Sequence, residues 1–370
     1  MDADVPGAYL DRMPKVELHC HLIGTVRATT FAELARRAGL DLPADPLEIY
    51  ARVNSKPVDP ALYAHTRIPV PQGPAPDEPD PSYSLFQLSD WVKRSLTRLD
   101  DFARIVYEAL EDAHTKSATR YAELFIDPVD RQVWPFGYAA VLDAYIEGMR
   151  AAESDFGIRS RLIAAIDRSR SGADALAVVE EVVANRRDEV VGIGLDNLET
   201  AGPPERFVDA YRLAKRSGLR RTAHSSEHAP TAANTVTCLD VLECDRIDHG
   251  YFVLEDDAVV ARCRDEGVPF TCIFTTSRRS WRPWRRASIA EMVRRGLTVT
   301  LSSDDPGMFP TTLAQEYRIA AFDLGLGRDR MRRMCLDGVD ASWLDDADRA
   351  SLRAGFIAEL DGLDRESGLT

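Results

Sequence analysis

The sequence predicts an α/β fold of the (β/α)8 TIM-like barrel type, and three observations predict it. Eight short apolar runs recur along the 370 residues. Amphipathic segments lie between them. Residues able to ligate a metal fall just past several of the runs. Strand and helix patterns in alternation are the signature of parallel βα units, and eight of them favour a closed barrel over an open doubly wound sheet. One domain spanning residues 1–370 is expected, because that length suits a single barrel with a large core.

The strands are predicted, in order, at Lys15–Leu18, Tyr121–Phe125, Arg161–Ile166, Val190–Leu195, Leu219–Ala223, Arg246–Ile247, Pro269–Ile273 and Leu297–Leu301. Helices suited to an outer ring are predicted at Ala103–Ala118, Gly172–Ala184, Pro204–Arg216 and Asp256–Glu266. One stretch breaks the rhythm. Between Lys56 and Pro81 stand eight prolines, so a Pro-rich insertion at about 53–84 is expected. It reads equally as a plain surface excursion or as a lid, since loops that follow barrel strands approach the catalytic face.

Composition excludes several function classes. Lys and Arg number 46 against 60 Asp and Glu, a formal charge of −14. A polymeric nucleic acid is therefore not an expected partner, because neutralising phosphates needs a positive face; one small anion held by a local basic cluster stays open. The six cysteines form no CxxC pair and read as reduced thiols of a cytoplasmic protein. Met1 to Pro14 is acidic and Pro-broken, with no signal-peptide core, and no apolar run reaches membrane-spanning length. The oligomeric state is left open.

The polar residues at the strand ends carry the chemistry. His19 and His21 follow the first strand, His224 the fifth, His249 the sixth, and Asp304 and Asp305 the eighth. In a barrel all these positions converge on one mouth. Histidines at i and i+2 on an extended segment point to the same side. Any one of them alone is more often a packed or capping residue. A third histidine and a carboxylate complete a nitrogen and oxygen set that suits zinc with a position left for water.

The segments Lys15–Thr25 (KVELHCHLIGT), His224–Glu227 (HSSE), Arg246–Gly250 (RIDHG) and Ser303–Pro306 (SDDP) resemble those of the adenosine/adenine deaminase family, in the family's order. Tyr121–Pro128 (YAELFIDP) and Gly192–Phe207 (GIGLDNLETAGPPERF) look closest to its adenine deaminase branch. The resemblance covers nearly the whole chain outside the Pro-rich insert. It implies one Zn2+ per chain, held by His19, His21, His224 and Asp304. It implies that Glu227 protonates the purine ring nitrogen, that His249 orients and helps deprotonate the attacking water, and that Asp305 bonds the purine N7 side and that water. General acid catalysis at the ring nitrogen suits a carboxyl kept neutral by an apolar pocket; for Glu227 a plain helix-start carboxylate is the alternative.

The departures from the family concern recognition. Ile23 stands where adenosine-acting members hold the ribose 5′-hydroxyl with an aspartate. His224-Ser225-Ser226-Glu227 replaces the usual His-Ala-Gly-Glu, and two hydroxymethyl groups are expected to crowd the site. Ile273-Phe274-Thr275-Thr276-Ser277 replaces Cys-Pro-x-Ser-Asn. Asn197 aligns with a glycine whose backbone contacts the purine N3 side. Arg278, Arg279, Arg282, Arg285 and Arg286, interleaved with Trp281 and Trp284, read either as a solvated loop or as an anion-binding cluster, with Arg278 and Arg279 the substrate-binding candidates. His65, His114 and His228 read as surface or packing residues.

The resemblance therefore implies a purine aminohydrolase: zinc-dependent hydrolytic deamination of an adenine-type purine, as free base or modified nucleoside, with release of ammonia. The alternatives are an acidic substituted adenosine, such as a nucleotide or an aminodeoxyfutalosine-like compound, another heterocycle's C–N bond, and a catalytically silent purine-binding barrel.

Overall fold

The computed structural model describes residues 5–54, 60–71, 83–128, 133–276 and 279–368. Eight parallel strands, each paired with its neighbours in sequence, form the sheet: β1 Lys15–His21, β2 Thr119–Ile126, β3 Arg159–Asp167, β4 Val190–Asp196, β5 Arg220–Ser225, β6 Ile247–His249, β7 Pro269–Cys272 and β8 Thr298–Leu301. Every predicted strand overlaps an observed one. Val, Ile, Leu and Ala dominate β3 and β4, while β1, β5 and β6 set polar residues among the apolar ones, and the strands are largely buried on both faces, as parallel sheets require.

The sheet closes just beyond β8 rather than along it. Asp304 N–H donates to the His19 carbonyl (2.9 Å), and His21 N–H donates to the Asp304 carbonyl (2.8 Å). This bridge joins the last strand's extension to β1. Closure and site assembly are thus one event, since the same residues supply the candidate ligands.

The predicted helices are present at Leu99–Ser117, Gly172–Ala184, Val208–Arg216 and Asp257–Asp265, the third preceded by a 3-10 turn at Pro204–Phe207. Ser171 caps the second, accepting from the Asp174 amide, and Asp256 caps the fourth. The chain also forms helices that its pattern does not signal. Gly7–Arg12 begins directly after Pro6, Arg328–Asp340 packs against β1 and β8, and Asp346–Glu366 packs on Arg328–Asp340.

The barrel's floor is polar. Lys15, fully buried, donates from Nζ to the carbonyls of Leu10, Met13 and Ser117 at 2.6, 2.9 and 3.0 Å. Higher in the interior, Arg246 meets Glu123 (2.5 Å) with neither side chain exposed, and its guanidinium lies 3.9 Å from the Trp343 ring centre. Of the Pro-rich insertion, much lies outside the described residues. Its ends are tied together, because Val53–Asn54 pairs in parallel with Tyr83–Ser84.

Candidate active site

Four of the six described non-glycine residues with positive φ stand at strand ends on one mouth of the barrel: Asn197 (70°), Ser226 (51°), His249 (68°) and Asp304 (61°). A left-handed L-residue costs on the order of 1–3 kcal/mol and persists only where its surroundings over-determine it. That strain points to the chemistry.

His19, His21, His224 and Asp304 offer ligand atoms all within 4.8 Å of one another. His224 Nε2 lies 3.2 Å from His19 Nε2 and 3.1 Å from His21 Nε2. Asp304 Oδ1 is 3.4 Å from His19 Nε2 and 3.5 Å from His21 Nε2. A tetrahedron with metal–nitrogen distances of about 2.0–2.1 Å has edges of about 3.3–3.4 Å. These separations suit it.

The outer nitrogens set the tautomers. Thr271 Oγ1 donates to Asp248 Oδ1 (2.9 Å), so it accepts from His19 Nδ1 (3.0 Å), which leaves the Nε2 lone pair facing inward. Asp248 Oδ2 stands 3.4 Å from His224 Nδ1, and Asp196 Oδ2 stands 3.8 Å from His21 Nδ1. Carboxylates behind the imidazoles orient ligands for a metal. Three inward lone pairs repel one another unless a cation lies between them. Burial, with the two neighbouring rings and against the pull of Asp304, brings His21 down to about 3, the neutral form a metal requires. Thr276 Oγ1 donates to Asp304 Oδ2 (2.6 Å), which frees Oδ1 for the cluster. Asp248 and Thr276 were missed in the sequence. Asp248 sits between Ile247 and His249 on a strand, and a buried strand aspartate beside a histidine is the signal that would have found it.

Glu227 lies on the loop after β5, and Glu199 holds that loop. The Glu199 carboxylate accepts from the amides of Ser226 (2.7 Å), Glu227 (2.9 Å), His228 (2.9 Å) and Ala229 (2.8 Å), and from Asn234 Nδ2 (2.7 Å). The Glu227 side chain does not sit in the apolar pocket expected of it. Arg285 Nη2 donates to Oε1 (2.7 Å), while His228 Nδ1 and His249 Nε2 lie 2.9 and 3.5 Å from Oε2. Burial pushes this carboxyl up, but His228, His249 and Arg285 outweigh it and hold it well below the usual carboxylate range. His228 is accordingly a site residue rather than a surface one. His249 Nδ1 lies 3.2 Å from the Tyr251 hydroxyl.

Asp305 packs over Gly24, where a Cβ would come within 2.0 Å of its carboxylate. Burial and the carboxylates of Asp304, Glu227 and Asp196 push its own carboxyl well up. His21, His224, Asp304, Glu227, His249 and Asp305 line one cavity of about 170 Å³, with His19 buried behind it. Ile23, Leu85, Phe86, Leu198 and Phe309 supply its apolar wall, and Asp127, Asp167, Asp196, Asn197 and Lys93 its polar end. Leu85, Phe86 and Lys93 belong to the helix Leu85–Ser95, which follows the Pro-rich insertion, so the chain after that excursion forms part of the cavity wall.

The arginine cluster does not line this cavity as expected. Arg278 lies outside the described residues. Arg279 reaches the Ala51 carbonyl (3.4 Å) instead, and among the described residues the cavity's one arginine is Arg285. The reason is helical: Arg282–Arg294 is a helix, and Arg285 is on its buried side.

A family model for adenosine deaminase matches residues 79–359. The chain belongs to that family. An adenine deaminase of Rhodospirillum rubrum is 29% identical over 96% of this chain and 99% of its own length. An adenosine deaminase of Vibrio parahaemolyticus is 28% identical over 92% of this chain and 96% of its own. Among solved structures, a zinc-bound amidohydrolase of Burkhoderia ambifaria superposes with a TM-score of 0.84 at 34% identity, covering 98% of this chain and 95% of the other.

Within the deaminase family, two departures now have a backbone explanation. Asn197 and Ser226, the two positions at which the resemblance leads one to expect glycine, both have positive φ, which glycine adopts freely. Asn197 is held there by donating from Nδ2 to Asp167 Oδ1 (2.9 Å) and accepting from the Leu198 amide (2.7 Å). Nor do the two serines crowd the deaminase's cavity. Ser226 Oγ donates to the Thr231 carbonyl (2.8 Å), Ser225 Oγ lies 3.1 Å from Thr235 Oγ1, and both point away from it.

Proposed function

We propose that this deaminase hydrolyses an adenine-type purine, as free base or modified nucleoside, with one zinc ion held by His19, His21, His224 and Asp304. The observation that carries the reading is the convergence of that ligand set with Glu227, His249 and Asp305 at one mouth of the barrel. Bound there, zinc supplies Lewis acidity that brings the pKa of water from about 15.7 toward about 7. Glu227 passes a proton to the ring nitrogen, His249 orients the attacking water, and Asp305 bonds the purine on the side next to it. Ile23 and Phe86 embrace the ring from the cavity's apolar wall.

The substrate's remaining part meets Asp127, Asp167 and Asp196, while Lys93 is already paired with Asp127 (2.7 Å). A phosphate is disfavoured there by like charge. Ile23 offers no hydrogen bond to a 5′-hydroxyl, and an unpaired buried hydroxyl costs about 1–3 kcal/mol, roughly tenfold to hundredfold in efficiency. Free adenine therefore stands ahead of adenosine, and adenosine ahead of its monophosphate. Six free cysteines, five of them buried, support a cytoplasmic enzyme. Among the described residues no helix is long and apolar enough to cross a membrane.

The test is ammonia release and ultraviolet absorbance loss for adenine, adenosine and its monophosphate, with zinc-loaded wild type and Glu227→Gln. Wild type should turn over adenine best, and the variant should lose a factor of at least about 100 with its metal retained. Near-normal turnover by Glu227→Gln would remove Glu227 from the chemistry, and adenosine as the best substrate would overturn the argument from Ile23.

A further inference from the structure

Arg285 is an arginine with 1% exposure, projecting from the first turn of the helix Arg282–Arg294 into the wall of the catalytic cavity. A guanidinium does not lose its proton in a protein, and a buried one needs an anion. Here that anion is Glu227, whose Oε1 it takes at 2.7 Å. Its Nη1 donates to the Tyr251 hydroxyl (3.1 Å), and its plane lies 4.9 Å from the Tyr251 ring centre. Tyr251 in turn stands 3.2 Å from His249 Nδ1 and donates to the Ile273 carbonyl (3.0 Å). One buried network thus runs from Arg285 to both candidate proton-transfer groups. The charged and titratable groups that face Glu227 are His228 on its own loop, His249 at the end of β6, Tyr251 beyond it, Arg285, Tyr63 from the excursion and Asp305 after β8. Arg285 donates to Glu227 Oε1 at 2.7 Å, His228 Nδ1 and His249 Nε2 lie 2.9 and 3.5 Å from Oε2, and burial with the neighbouring carboxylates pushes the Asp305 carboxyl up.

We propose that Arg285 is a positioning residue for the deamination: it holds Glu227 as a carboxylate with Oε1 occupied, so that Glu227 enters the cycle as a proton acceptor and works through Oε2. The inference rests on the reading of Glu227 given above and adds its charge state. The water's oxygen bonds to the amine-bearing ring carbon while one of its protons passes to Oε2. The C=N electron pair moves onto the ring nitrogen, which takes that proton from Glu227 and restores the carboxylate. The carbon–amine bond then breaks, the remaining hydroxyl proton leaves with the amine as ammonia, and the carbonyl forms. A carboxyl that entered protonated would leave Arg285 facing a neutral group in a buried site.

Infrared difference spectra of wild type minus Glu227→Gln test this without any substrate. At neutral pH the Glu227 signal should be that of an ionised carboxylate; a protonated carboxyl band in wild type overturns the proposal. In Arg285→Met the titration midpoint of that signal should rise by roughly 1–3 pH units, the usual effect of removing an adjacent opposite charge. Arg285→Lys should restore most of the wild-type midpoint. With the best substrate of the adenine panel, the acid limb of kcat/KM should move up with the infrared midpoint in Arg285→Met, at unchanged metal content. An unmoved midpoint, or a variant more active than wild type, overturns the proposal. Should Arg285→Met not fold, the wild-type spectrum decides the charge state and Arg285→Lys the role of the cation. Failure to turn over any purine would strike the deaminase reading while leaving the infrared result to judge this one.

Discussion

Glu199 shows how far the loop that carries Glu227 depends on one carboxylate. Its two oxygens accept five donors, four of them consecutive backbone amides from Ser226 to Ala229, and the side chain is 3% exposed. Glu199→Gln keeps the shape and removes the charge. One oxygen remains, and the new amide faces donors it cannot accept from. If the remaining oxygen serves the three amides of Glu227, His228 and Ala229, the Ser226 amide and Asn234 lose their acceptor. An unmet buried donor costs about 1–3 kcal/mol, so two cost on the order of 2–6 kcal/mol in total. Part of that loss appears as stability and part as displacement of Glu227, because Ser226 already holds a strained φ of 51°. Thermal unfolding, metal content and steady-state kinetics separate the parts. The expected outcome is a lower Tm, a kcat reduced by about tenfold to hundredfold, a KM nearly unchanged and a full complement of metal. A variant with wild-type Tm and kcat would refute the view that this carboxylate organises the loop.

The metal set makes a graded prediction: His224→Ala should leave the protein without its ion, whereas Asp248→Asn, which alters only the group behind His19 and His224, should weaken metal affinity by about 10–100-fold, both read by elemental analysis after dialysis. Lys15→Met leaves three carbonyls on the barrel floor without their donor and should cost several kcal/mol of stability, at about 1–3 kcal/mol per unmet group, without changing kcat. Burial also pushes the Lys15 ammonium down to about 8 from 10.5. The folded state then binds fewer protons than the unfolded chain between those values, so wild-type stability gains with rising pH there. The gap between wild type and Lys15→Met in denaturant titrations should widen from about pH 8 to pH 10.5, and a gap that narrows would contradict the assignment.

The barrel was legible because short apolar stretches alternate with amphipathic segments, most plainly at β2, β3 and β4. β6 shows the limit. Only Ile247, Asp248 and His249 are extended, and what marks the strand is its place between helices rather than its composition. The N-terminal helix was hidden by Pro6, which breaks a helix from within but here stands at its N-cap, where no amide donor is required. Ligand candidates were legible because strand ends on a barrel share one face. Their supports were not, since Glu199, Asp248 and Thr276 act on residues 27, 24 and 28 positions away, and pairing over that span depends on the register of β4 to β8. The substitutions at Asn197 and Ser226 looked like altered recognition because a missing glycine suggests added bulk. What glycine supplies at both positions is a left-handed backbone, and local hydrogen bonds supply it instead.

The arginine cluster is where reading residues by composition misleads most. In sequence Arg279, Arg282, Arg285 and Arg286 are one basic patch. In space they are four separate devices: Arg279 reaches the Ala51 carbonyl, Arg282 Nε donates to the Thr275 carbonyl (3.2 Å), Arg286 pairs with Asp323 (3.0 Å), and Arg285 is buried against Glu227. Helical periodicity separates them. From Arg282 onward the buried positions include Arg285, Ser288, Ile289 and Met292, spaced i, i+3, i+4 and i+7, which is the inward stripe of an amphipathic helix. An arginine on such a stripe has to meet an anion inside the protein, and the segment follows the seventh strand, whose end faces the mouth where Glu227 stands. Charge counted along the chain left two readings, a solvated loop or a site for a phosphate or carboxylate on the substrate. Charge placed on the helix wheel points to the protein's own Glu227 carboxylate, so on the function proposed above Arg285 bears on proton transfer rather than on the choice of an acidic substrate.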